Sequence, residues 1–262
     1  MTAAAIAATG MEAMKKKVEV LAHNLANVNT DGYKRNRAEF KTQMYQDYTG
    51  VGTATSSAGT LNATGVQIGL GVALAGTTRI MEQGAIQITE NPLDVMIQGE
   101  GFLTVQLPSG EAAYTRDGAM RPDAQGTLTT RDGFKFSPDI TIPINAEELY
   151  VNTNGEVYAK VTGQIEPQLL GQLELVKFPN NAGLRAIGDN LLMATQASGP
   201  PVQGVAGTEG FGTIFGGGKE ASNVKPVREI TALIEAEQAH QLNSRTLDTA
   251  SKMMSVLPGV GK

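Results

Sequence analysis

Cysteine is absent from the 262 residues, so no disulfide or thiol chemistry is available and the chain is indifferent to the redox state around it. Tryptophan is also absent, and aromatics make up only 5% of the residues, so the core must be built from aliphatic side chains. Positive charge is in deficit, with a formal net charge of −5 and a pI near 5.2. That balance excludes a nucleic-acid protein, which needs a basic face to neutralise phosphates. No apolar run is long enough for a membrane-spanning helix. The two histidines, His23 and His240, lie on separate helical stretches without further ligands at coordinating spacing, so no metal or other cofactor is expected.

Both ends carry helical periodicity. Met11, Met14, Val18, Leu21, Leu25 and Val28 recur at alternating spacings of three and four, a heptad seam that Ala4 and Ala7 extend backwards. A helix over 3–28 would run roughly 39 Å at 1.5 Å per residue. Its lysines follow an interrupted apolar run, the reverse of a cleavable signal, so the start reads as mature structure. Near the other end, Ser222 and Asn223 can cap and Pro226 suits a first helical turn. Leu233, Ala236, His240, Asn243, Leu247, Ala250, Met254 and Leu257 then follow the same rhythm. Val227, Ile230 and Ile234 widen its apolar face, and Pro258-Gly259 is a stop signal.

The middle changes period. Residues 46–66 are rich in Gly, Ser and Thr, which predicts a weakly ordered extension. From about residue 70 to 215, short strand-like runs alternate with Pro108-Ser109-Gly110, Arg131-Asp132-Gly133 and Asn154-Gly155 turns. The expected fold class is α+β: a central all-β domain flanked by long helices that pack as an antiparallel coiled coil in a polymer. The expected division is an N-terminal helix over 1–32, a connecting segment over 33–70, a β-rich domain over 71–221 and a C-terminal helix over 222–262.

The stretch LAHNLANVNTDGYKR, residues 21–35, closes the first helix with an excess of amide. Asn24, Asn27 and Asn29 can serve as caps or can bond a neighbouring chain, and Gly32 can take a positive φ in the Thr30-Asp31-Gly32 turn. Asn24 and Asn27 share a face beside the Leu21–Leu25–Val28 seam, whereas His240 and Asn243 fall within the seam of the closing helix. Polar residues at such places cost stability and fix register. The expected subunit-packing set is therefore Met11, Met14, Val18, Leu21, Asn24, Leu25, Asn27, Val28, Gly32, Leu233, His240, Asn243, Leu247, Met254 and Leu257. Asp117, Asp123 and Asp132 sit beside Gly or Pro and read as turn residues, so no catalytic constellation is expected.

NLANVNTDGYKR resembles the signature of the axial proteins of the bacterial flagellum, the rod, hook and hook-associated family. NPLDVMIQGEGFLTVQLPSGEAAYTRDGAMRPDAQGTLTTRDGFKF, residues 91–136, resembles the core of its rod and hook members. ITIPINA, at 140–146, and LGQLELVKFPNNAGLRAIGDNLLMATQASGPP, at 170–201, are similar to its distal-rod branch. The closing SNVKPVREITALIEAEQAHQLNSRTLDTASKMM matches the family's last helix, although Gln238-Ala239-His240 stands where an Arg-Ala-Tyr triplet is usual.

The resemblance implies a non-enzymatic subunit that assembles with itself into a helical tube, encloses the export channel and transmits torque from motor to hook. It implies a place in the periplasm and export without a cleaved signal. The implied partners are other copies, the proximal rod proteins, the hook protein, the P- and L-ring bushing and the export apparatus, with no small-molecule substrate. The alternatives are a proximal rod or hook paralogue and, in another class, an extracellular β-rich hydrolase.

Overall fold

A computed structural model describes residues 2–50, 64–163 and 166–256. The chain divides into two compact units. One comprises the described residues of Met1–Ala26, Asn36–Thr78 and Lys225–Lys262; the other comprises Asn27–Arg35 and Arg79–Val224.

In the first unit, helix α1 spans Thr2–Ala26 and helix α2 spans Pro226–Val256, and the two pack on one another. Alanines dominate the first turns of α1, where they carry no rotamer cost. Pro226 is the first residue of α2, where its missing N–H is harmless. The pair is antiparallel: Gly10 lies against Asn243 and Asn24 against Glu229, so fourteen residues forward along α1 match fourteen back along α2.

The same unit holds two strand pairs, Asn36–Thr42 with Val72–Arg79 and Tyr45–Thr49 with Val66–Gly69. The weakly ordered extension expected over 46–66 therefore begins and ends in paired strands, and its residues 51–63 lie outside the described residues. Thr9 on α1 receives the Val72 N–H at 3.3 Å, which holds the strands to the helix. Gly71, at φ 121°, passes so close that a Cβ there would lie 2.1 Å from the Thr9 hydroxyl.

Among its described residues the second unit is all-β apart from one 3-10 turn at Asn181–Gly183. Its main sheet has nine strands and is centred on Phe102–Gln106, which pairs with Ala112–Thr115, Lys135–Ser137 and Glu174–Lys177. The central strand is buried on both faces. Leu103 and Val105 join Met120, Leu128, Phe136 and Leu175 in one core. Phe102 joins Tyr114, Val176 and Phe178 in a second, where Tyr114 and Phe178 meet edge to face at 4.8 Å. A three-stranded meander, Ala146–Val151, Glu156–Val161 and Gln168–Gln172, adds Val157 to the first core. Turns fall where the sequence places them, with Gly110, Gly133 and Gly155 all at positive φ.

Candidate functional site

The site most heavily built by local sequence is the pair of stems, 33–35 and 218–223, by each of which the chain leaves the β unit. Thr30 donates to the Asn27 side-chain oxygen at 3.1 Å, and its N–H reaches the Asn27 carbonyl at 3.2 Å. Asn27 therefore serves the turn. Gly32 takes φ 69°, and a Cβ there would lie 2.9 Å from the Asp117 nitrogen, so both its conformation and its clearance exclude a side chain. Asp31 pairs with Arg131 at 2.6 Å and Lys219 at 3.7 Å, while its carbonyl accepts from the Asn190 amide at 2.9 Å.

Beyond the turn lies a network of buried charge. Glu220 is 2% exposed. Its carboxylate pairs with Lys34 and, at 3.3 Å, with Arg116, and it receives the Gly84 N–H at 2.7 Å. Lys34 also donates to the Glu82 carbonyl at 2.8 Å. Arg116 donates to the carbonyls of Gly99 and Gly101, and its guanidinium lies 5.6 Å from the Phe102 ring centre. Asn223 accepts from the Arg35 N–H at 2.8 Å and donates to the carbonyls of Ile80 and Glu82. It is spent on the β unit and not on capping α2. The two stems, 33–35 and 218–223, are thus fixed side by side.

Electrostatics follow from this burial. Desolvation pulls the Lys34 ammonium below its ordinary pKa, with the Glu220 charge opposing and the Arg116 charge adding. Desolvation also lifts the Asp117 carboxyl above the usual aspartate value; the Ala119 N–H and the charges of Arg131 and Lys219 act against it, and Asp31 acts with it. Asp117 and Asp123 accept from backbone N–H groups two residues on, as turn residues do. Among the described residues, no cluster of His, Asp and Glu could hold a metal ion.

The helix pair is the second part of the site. Leu21 is buried, and Met11, Met14, Val18, Leu25 and Val28 are half-buried. Asn24 is 1% exposed and uses all of its amide: it accepts the Asn36 N–H at 2.8 Å and donates to the Asn36 carbonyl at 2.8 Å and to Glu229 at 3.1 Å. On α2, Ala236 is buried, Leu233, Asn243 and Leu247 are half-buried, and His240 and Met254 are exposed. Leu257 lies outside the described residues. Val227, Ile230 and Ile234 share one side of α2 and are 79%, 45% and 48% exposed. Sequence reasoning passed over Lys34, Arg116 and Glu220. The available signal was a glutamate just before the closing helix and a lysine just after the turn, two charges with no surface pattern around them.

Residues 5–34 match the family model "Flagella basal body rod protein", residues 96–159 match "Flagellar hook protein FlgE/F/G D1 domain", and residues 217–257 match "Flagellar basal body rod FlgEFG protein C-terminal". The chain is 46% identical to the flagellar basal-body rod protein FlgG of Caulobacter vibrioides over 97% of both chains. It is 41% identical to that of Agrobacterium fabrum over 98% of both, and 34% identical to that of Bacillus subtilis over 95% of both. The matched terminal segments cover α2, the stem 218–223, residues 33 and 34 of the other stem and α1 from residue 5 onward. The chain belongs to the family of flagellar basal-body rod proteins, of the FlgG type, and is a structural rod subunit of the flagellar basal body.

Proposed function

We propose that copies of this chain stack through their helix pairs into the distal part of the rod, a helical tube that encloses the export channel and carries torque from motor to hook. One observation carries the reading. Val227, Ile230 and Ile234 form an apolar strip on α2 that α1 leaves uncovered, and a helix gains little from such a strip unless another surface buries it. A second copy is the partner that a self-assembling rod subunit supplies.

In this reading residues 1–32 and 222–262 form the inner layer, 71–221 the outer layer, and 33–70 the connection between them. The packing residues are those of the two seams, including Met11, Met14, Val18, Leu25, Val28, Leu233, Leu247 and Met254. The protein acts without catalysing a reaction. Its neighbours are the proximal rod proteins, the hook protein and the P- and L-ring bushing. It reaches its place, in the periplasm, through the flagellar export apparatus. The FlgG relatives match over nearly the whole chain, so neither a proximal rod or hook paralogue nor a hydrolase is favoured.

Ile230→Asp with Ile234→Asp tests the reading in cells. The expected outcome is that the chain is made and exported at native levels, the β unit stays folded, and rods and swimming are lost. Swimming at the native rate would overturn the role of this face.

A further inference from the structure

We infer that the register of α1 against α2 is set within one chain by two non-hydrophobic contacts, Asn24 with Glu229 and Gly10 with Asn243, and not by the apolar seam. Asn24 and Gly10 lie on one line of α1 at seven-residue spacing, Ala3, Gly10, Lys17 and Asn24. The facing line of α2 is Glu229, Ala236, Asn243 and Ala250. The two observed contacts put these lines level with each other.

Sliding α2 by one heptad would bring Ala236 opposite Asn24 and alanine opposite Gly10. Opposite Asn24, Lys17 and Gly10 the slide would exchange Glu229 for Ala236, Ala236 for Asn243 and Asn243 for Ala250, so no large apolar side chain is gained or lost at these three levels. The polar contacts would not survive. Asn24 would lose the Glu229 carboxylate now 3.1 Å from its amide nitrogen, and Glu229, itself buried, would lose that donor. At the other level, Gly10 leaves the space that Asn243 fills: a Cβ on residue 10 would stand 2.8 Å from the Asn243 amide nitrogen. Glycine inside a helix weakens it relative to alanine, so its place in α1 calls for a packing reason, and Asn243 is that reason. A polar side chain in a helix–helix seam trades stability for a unique alignment.

Two measurements decide it. In the first, Gly10→Leu is expected to abolish swimming, and Gly10→Leu with Asn243→Ala to restore it by returning the lost volume. Native swimming of Gly10→Leu, or no recovery in the double variant, would overturn the Gly10–Asn243 contact. The second uses the cysteine-free background. Lys17→Cys and Ala236→Cys, level on the same two lines, are oxidised in whole cells and the chain is followed on a non-reducing gel. The expected product is a link within one chain. It should form about tenfold more slowly when Asn24→Leu is added, the factor that one lost buried hydrogen bond implies. A link between different chains, no link, or an unchanged rate with Asn24→Leu would overturn the inference. This test rests on the helix pair alone: the disulfide reads register whether or not copies stack through Val227, Ile230 and Ile234.

Discussion

Glu220 is the most consequential single residue of the β unit. Two cations and a backbone N–H converge on its carboxylate, and all three charged side chains are buried. Glu220→Ala leaves Lys34 and Arg116 buried without their counter-charge, and such losses cost about 3–5 kcal/mol. The expected readout is a large fall in the urea midpoint of the β transition in the full chain, with m unchanged. Gly32 is a second such point. Gly32→Ala combines a positive φ with a Cβ pressed on the Asp117 nitrogen, so the cost should exceed the roughly 1–2 kcal/mol of a left-handed conformation alone, read as a fall in the same urea midpoint.

Asp117 sets a pH dependence. Its folded pKa is raised, so the folded state holds the proton longer than the unfolded chain does. The contribution to stability is present below the ordinary aspartate value, about 4, and is lost as pH rises through the raised value. Asp117→Asn keeps the oxygen that receives the Ala119 N–H at 3.0 Å. Urea midpoints measured against pH should therefore fall over that window in the native chain and stay flatter in the variant.

At the scale of elements, the helices and turns were legible because short-range rules govern them. The three-four spacing located α1 and α2, proline marked the start of α2, and glycine marked the turns at 110, 133 and 155. Leu21, at the centre of the seam, is buried as the period requires, and Leu21→Ala should cost about 2–5 kcal/mol in helix-pair stability by leaving a cavity. Thermal loss of helical circular dichroism in the assembled protein reads that cost. The role of each polar residue was less legible, because it depends on what the fold brings opposite. Asn24 is 1% exposed, because the Asn36 backbone turns back to meet it. Asn27, equally amide, serves its own turn. Asn223 resembles a cap by position but is consumed by three backbone partners in the β unit. Lys34, Arg116 and Glu220 are far apart in sequence, and no local period announces that they meet.

For the whole molecule, one organising idea accounts for these features. The β unit fixes both stems through buried charge, and in the proposed reading the helix pair offers its apolar strip to another copy. A shaft that resists twist needs such contacts between neighbours, because close-packed surfaces transmit strain with little compression. The most direct test is electron cryo-microscopy of rods isolated from cells, at a resolution that shows side chains. The account predicts Val227, Ile230 and Ile234 buried against a neighbouring copy, with α1 and α2 paired antiparallel in each chain. A rod in which those three side chains face water, or in which α2 meets no neighbour, would contradict it.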